Sequence, residues 1–212
     1  MKILLLCYWG GAGGKFIANC LSFSHKVAFA NFEIAKNILK NKELLEKSVL
    51  DTIPMRKNSS QWQEYEQGCW QLFGPGIYHA KKLSDNGFND LEQLGDVWLP
   101  LMAHNDEQIT RYSELFKDHN MFKVLIDADI AFIDLAVTIK MPHKNKETHL
   151  GRYPGWIDEM KLLNFDLVID NWNPLIPKNH SNIVNLAKYL GVDFDMSLAK
   201  KYTEKYINFH IN

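Results

Sequence analysis

The chain has 212 residues, 46% hydrophobic and 23% charged, a balance that excludes a disordered or fibrous protein and suits one domain with a sizeable core better than two. Lys and Arg number 24 against 25 Asp and Glu, a formal net charge of -1, so the global basic footprint of a nucleic-acid binder is missing. Cys7, Cys20 and Cys69 are too few for a disulfide framework and have no zinc-ligand spacing, so reduced thiols in a cytoplasmic protein are expected.

The first apolar run, Ile3-Leu4-Leu5-Leu6-Cys7-Tyr8, has the unbroken pattern of a strand covered on both faces of a parallel sheet. Behind Met1-Lys2 it resembles the start of a signal peptide, but it ends at Gly10 with no small-residue cleavage site after it. Nothing else approaches the roughly 18 consecutive apolar residues of a membrane span, and we expect a protein that stays where it is made. The glycine cluster Gly10-Gly11-Ala12-Gly13-Gly14 comes next, and then a helix with Phe16, Ile17, Cys20 and Leu21 on one stripe.

Residues 27–30 read as a short strand and residues 32–50 as a helix with a solvated Lys and Glu face. Residues 51–94 differ in character. Trp62, Tyr65, Trp70, Phe73 and Tyr78 crowd them and Gly74-Pro75-Gly76 breaks them, which predicts an aromatic-rich insertion with one or two helices. Residues 96–103 read as a second buried strand ending at His104, and residues 105–117 as a helix capped by Asn105 or Asp106. A third strand over 121–126 stops at Asp127-Ala128-Asp129, and Ile130, Ile133, Ala136 and Val137 mark the helix after it. Residues 141–154 carry Lys144, Lys146, His149 and Arg152 without periodicity and read as a basic loop. A last strand over 165–169 and two amphipathic helices, over 181–189 and 195–207 with Gly191 between them, complete the chain. The alternation predicts one α/β domain over residues 1–212, a three-layer α/β/α arrangement around a mainly parallel sheet.

The segment Trp9-Gly10-Gly11-Ala12-Gly13-Gly14-Lys15-Phe16 carries the most chemistry. A glycine-rich turn between a central strand and a helix turns several backbone N–H groups toward one point. The helix N-terminus adds a partial positive charge there and Lys15 a full one. Two positions depart from the nucleotide-triphosphatase P-loop: Trp9 stands at its first Gly, and Phe16 at the Ser or Thr that holds magnesium on the β- and γ-phosphates. The pattern therefore predicts a P-loop-like anion site that needs no metal.

Gly10-Gly11-Ala12-Gly13-Gly14-Lys15-Phe16 resembles the GG(S/A)GGKF loop of uncharacterised sulfotransferase-like proteins, within the P-loop sulfotransferase superfamily. The order strand, His104, helix, strand over residues 99–126 is similar to that family, and residues 183–191 resemble its closing helix. The resemblance implies transfer of a sulfuryl group from phosphoadenosine phosphosulfate to a hydroxyl or amine on a small-molecule or glycan acceptor. The amides of residues 11–16 and the Lys15 ammonium would hold the 5′-phosphosulfate. Lys15 would also stabilise the leaving phosphate, and His104 would take the proton of the acceptor as it attacks sulfur. The chain departs from the family where an Arg after the third strand and a later Ser clamp the 3′-phosphate. Asp127 and roughly Leu135 stand there, and an aspartate repels a phosphate. Lys140, Lys144, Lys146 or Arg152 would then replace the clamp, or the donor is another one.

Two other readings stay open: a nucleotide- or phosphate-binding P-loop module without catalysis, and a small magnesium-dependent phosphotransferase using Asp127 or Asp129. The alternative role of these two aspartates is to cap the Ile130 helix. His104, His143 and His149 have no metal-ligand spacing and no metal is assigned. Gly11, Gly13 and Glu33 only faintly follow a dinucleotide fingerprint, because Phe16 stands at its third glycine. The aromatic residues of 61–78 either line an acceptor pocket or form the core of a small subdomain.

Overall fold

The computed structural model describes residues 2–21, 23–24, 26–27, 96–140 and 145–210. The expected helix over 32–50, the insertion over 51–94 and most of the expected strand over 27–30 lie outside the described residues. Strands β1 (Lys2–Tyr8), β2 (Trp98–Ala103), β3 (Asn120–Ala128) and β4 (Leu167–Trp172) form an all-parallel sheet in the order β2-β1-β3-β4. Val27 adds one parallel bridge to Trp98 on the outer side of β2. Helices α1 (Gly14–Leu21), α2 (Asp106–Leu115), α3 (Ile130–Lys140), α4 (Lys146–Lys161), α5 (His180–Leu190) and α6 (Met196–His210) flank the sheet. No helix among the described residues is long and apolar enough to cross a membrane.

The unbroken apolar run of β1 is explained by its central place: Ile3, Leu4, Leu5, Leu6 and Cys7 have no exposed surface, and each large side chain so buried contributes roughly 1.5–3 kcal/mol. In register, Lys2 lies beside Trp98 and Asn120, so the even-numbered residues of β1, β2 and β3 share a face. On that face Trp98 donates its indole N–H to Leu190 O at 2.8 Å and Phe122 stacks on Tyr189, which puts α5 there. Phe16 joins α1 to α5 and α6 through His180 and Tyr202, with ring centroids 6.2 and 5.2 Å away. On the opposite face Cys7 Sγ lies 3.7 Å from Met160 Sδ and Ser113 Oγ lies 3.9 Å from Met121 Sδ, which places α4 and α2. The chain thus leaves β1 for one face and its neighbour β2 for the other. In open parallel sheets ligands bind outside the carboxyl ends of the strands at such a point.

One expectation is corrected. Residues 146–161 are a helix where the polar composition of 141–154 reads as a loop. Gly151, Pro154 and Gly155 hide the period, and a proline inside a helix costs about 3 kcal/mol or more. The helix forms because Asn145 caps it, accepting from the Thr148 N–H at 3.1 Å, and because Tyr153, Trp156, Ile157 and Met160 bury one stripe against the sheet. Strands β3 and β4 also run past the expected ends at 126 and 169, to Ala128 and Trp172.

Gly14 shows how closely α1 approaches β1. A Cβ at this position would lie 2.1 Å from Tyr8 Cδ1, and the Tyr8 ring is held by its hydroxyl on Met102 Sδ at 2.8 Å and by the edge of His104. Gly14→Ala should therefore cost ~1–3 kcal/mol through overpacking, which at about 2–4 °C per kcal/mol for a chain of this size lowers the melting temperature by roughly 2–12 °C. Gly151→Ala, where a Cβ meets nothing within 4 Å, should raise it by roughly 1–4 °C; thermal melts followed by circular dichroism read both.

Burial pushes the Cys7 thiol up to about 12 and the Cys20 thiol well above its ordinary value. A group whose pKa is raised on folding stabilises the fold below its unfolded pKa and loses that contribution as the pH rises. Melting temperature should accordingly fall as the pH climbs above ~8.5, the ordinary thiol value. A flat profile up to pH 10 would contradict buried, protonated thiols.

Candidate functional site

Five residues join β1 to α1, and the carbonyls of Trp9, Gly10 and Gly13, with that of Tyr8 before them, are held from several sides. Tyr8 O accepts from His104 Nδ1 at 2.7 Å, Trp9 O from the Ala12 N–H at 2.9 Å, and Gly10 O from His149 Nε2 at 2.8 Å. Gly13 O accepts from the N–H groups of Phe16 and Ile17 at 2.9 and 3.3 Å. Because a trans peptide holds its N–H opposite its carbonyl, the N–H groups of Gly10, Gly11 and Gly14 are turned away from those partners. Gly13 has a positive φ of 77°, and a Cβ there would stand 3.1 Å from Phe132 and 3.2 Å from Trp172 Nε1. The turn therefore demands glycine twice over, for conformation and for space.

Lys15 sits half-buried in the first turn of α1, where the helix contributes its positive end. Phe16 is 2% exposed and packs on Trp172, His180 and Tyr202. The position that holds magnesium in a triphosphatase P-loop is a core anchor in this chain.

His104 stands exposed at the carboxyl end of β2. Its N–H donates to Gln108 Oε1 at 2.6 Å, and its own carbonyl accepts the Trp156 indole N–H at 2.8 Å. A carbonyl can only accept, so the ring nitrogen facing Tyr8 O carries a proton, and neutral His104 has its basic lone pair on Nε2. The bond to the Tyr8 carbonyl thus selects the tautomer whose lone pair is on Nε2.

Helix α4 braces the loop. Trp9 packs on His149, Tyr153 and Trp156, with ring centroids 4.9, 6.3 and 5.4 Å apart, so the residue that replaces the first P-loop glycine docks α4. Tyr153 donates its hydroxyl hydrogen to Asp127 Oδ1 at 2.7 Å and accepts from the Ala128 N–H at 2.7 Å. That N–H lies at the register shift between β3 and β4, where the ladder is irregular. Burial, and then the hydrogen bond to Asp127, hold the Tyr153 hydroxyl well above the usual tyrosine range, so it stays protonated. Lys161 Nζ reaches Asp127 Oδ2 at 2.5 Å and Asp170 at 3.7 Å. Asp129 caps α3, accepting from the Ala131 N–H at 2.9 Å and from Asn173 Nδ2 at 3.1 Å.

Of the remaining expected residues, Arg152 lies on the exposed side of α4, Lys146 pairs with Asp134, and Lys144 falls outside the described residues. Lys140 ends α3. Among the described residues no group of three or more His, Cys, Asp or Glu side chains stands where it could hold a metal ion. The indole N–H groups of Trp9 and Trp172 are buried beside the loop without a hydrogen-bond partner. An open groove lined by Thr110, Ser113, Lys117, Lys123 and Asn164 shares no residue with this site. The contributions of His149 and Tyr153 escape a loop reading of 141–154, and Trp156 follows just beyond it; the signal that finds them is the spacing His149, Tyr153, Trp156, Met160.

Fold and site together define an α/β protein with a four-stranded parallel sheet and a glycine loop between its central strand and first helix. Compared with protein-family models, with curated proteins and with solved structures, the chain has no match.

Tyr153→Phe should leave the buried Ala128 N–H without an acceptor and Asp127 without its phenol, at a cost of ~1–3 kcal/mol. Urea unfolding of both proteins measures it, and an unchanged midpoint would contradict the bracing role.

Proposed function

We propose that the glycine loop binds the phosphosulfate of a nucleotide donor without metal, and that the chain transfers a sulfuryl group to a hydroxyl or amine acceptor. The observation that carries this reading is the loop itself: the carbonyls of Trp9, Gly10 and Gly13 are engaged, the N–H groups of Gly10, Gly11 and Gly14 are turned away from those partners while those of Ala12 and Phe16 are spent within the turn, and Lys15 stands at the helix start. Such a site favours a tetrahedral anion through dipoles and one full charge. His104 adjoins it through Tyr8 O in the tautomer suited to a general base. In the proposed step the acceptor oxygen or nitrogen forms a bond to sulfur while the bond from sulfur to the bridging phosphate oxygen breaks. His104 Nε2 takes the acceptor proton, and Lys15 meets the charge gained by the leaving phosphate.

A phosphotransferase using Asp127 or Asp129 fits less well, because Asp127 is engaged by Tyr153 and Lys161 and Asp129 caps α3. One observation favours a nucleotide-binding module without catalysis: Asp127 occupies the place where the sulfotransferase resemblance puts a 3′-phosphate-binding Arg, and it is paired with Lys161. The two readings separate on the donor.

Thermal shift with adenosine 3′,5′-bisphosphate, adenosine 5′-monophosphate, phosphoadenosine phosphosulfate, and ATP with and without magnesium tests them. Ligand at ~100 times its dissociation constant adds ~2.7 kcal/mol, a shift of roughly 5–10 °C for this chain length. The reading expects a shift with the bisphosphate that magnesium does not alter and that Lys15→Ala removes, with the melting temperature of the free variant near wild type. Equal shifts with the monophosphate would mean that the 3′-phosphate goes unread, favouring the binding module. A shift only with ATP and magnesium would overturn both.

A further inference from the structure

The Gly10–Gly11 peptide is aimed from outside the loop. Its carbonyl is held by a side chain of α4, His149, whose Nε2 lies 2.8 Å from Gly10 O. Since that oxygen only accepts, Nε2 carries the proton, the opposite tautomer from the one the Tyr8 carbonyl selects in His104. The imidazole is itself fixed: its backbone N–H donates to Asn145 O at 3.0 Å, in the first turn of α4, and its ring lies on Trp9 with centroids 4.9 Å apart and planes tilted by 34°. Peptide planarity carries the constraint across the bond, because the Gly11 N–H must point opposite Gly10 O. Gly11 has a φ of 96°, a conformation that glycine reaches without strain, so the chain can turn sharply after this peptide.

We propose that His149 is a positioning residue that aims the Gly11 N–H at the anion, coupling α4 to the donor site. The assignment rests on the glycine loop being that site, but the aiming itself is a property of the unliganded protein and can be read separately. His149 touches no donor atom in this scheme; it acts through the Gly10–Gly11 peptide. Outer-layer groups of this kind, which orient the groups that do the binding, commonly alter affinity by ~10–100-fold when removed.

The test uses two variants of the full chain that divide the properties of the imidazole. His149→Phe keeps a ring against Trp9 but has no N–H, and His149→Gln keeps an amide N–H at a similar reach but no ring. The Gly11 amide resonance and its hydrogen exchange are read in the free proteins, and the dissociation constant of adenosine 3′,5′-bisphosphate by calorimetry. The proposal expects His149→Phe to shift the Gly11 resonance, speed its exchange and weaken the bisphosphate by at least ~10-fold, with His149→Gln near wild type in all three and both melting near wild type. An unchanged Gly11 amide in His149→Phe overturns it, as does equal loss in both variants, which would make ring packing the cause. Should the wild-type chain bind no bisphosphate, the donor reading falls, and the Gly11 amide alone decides whether His149 aims the peptide.

Discussion

A trans peptide cannot present its carbonyl and its N–H on the same side, and between β1 and α1 that restriction governs what the loop can bind. Each carbonyl seen to accept a hydrogen bond there has a partner from a different source: His104 from the end of β2, Ala12 within the turn, His149 from α4, and Phe16 and Ile17 from α1. The direction of the N–H groups is thus set by the packing of the whole carboxyl edge of the sheet. Glycine at 13 and 14 is the local half of the same constraint, since a Cβ at either position would meet Trp172 and Phe132 or the Tyr8 ring.

The electrostatics of that edge depend on where Asp127 spends its charge. At the end of β3, a carboxylate left to itself would oppose an anion in the neighbouring loop. Tyr153 and Lys161, both from α4, take its two oxygens instead. Lys161 is largely solvated, so its pair with Asp127 adds little to stability, as exposed pairs typically contribute only ~0–1 kcal/mol. In the proposed reading its weight lies in cancelling a charge at the edge that carries the loop. Tyr153 does more for the fold, because its hydroxyl also satisfies the Ala128 N–H that the irregular β3–β4 register leaves without a regular ladder partner.

The parts legible in the sequence were those whose signal is local. Six consecutive apolar residues announce β1 because a central parallel strand is buried on both faces, and the cluster from Gly10 to Lys15 announces the turn because the positive φ at 11 and 13 and the close approach at 14 call for glycine. Asp129 as a helix cap is likewise local, two residues from the N–H it accepts. Helix α4 was not legible: its glycines and proline argue against a helix, and what overrides them is burial against residues more than a hundred positions earlier, Cys7 and Trp9 among them. The same holds for Asp127, whose partners lie 26 and 34 residues away. His149 reads as one histidine in a polar run until the fold brings it to Gly10 O.

The two departures from the triphosphatase pattern, Trp9 for glycine and Phe16 for a hydroxyl residue, have a common physical meaning. Both put a large ring where that pattern keeps either space or a metal ligand, and the rings go to opposite sides of the sheet, Trp9 onto α4 and Phe16 onto Trp172, α5 and α6. A hydroxyl at 16 would face this apolar packing, and a polar group buried there without a partner costs ~1–3 kcal/mol. The loop is therefore anchored on both flanks by aromatic packing, and in the proposed reading the positive end of α1, the N–H groups of Gly10, Gly11 and Gly14, and Lys15 meet the anion. That division of labour makes the geometry of α4 inseparable from the chemistry of the loop, since one of the two anchors rests on it.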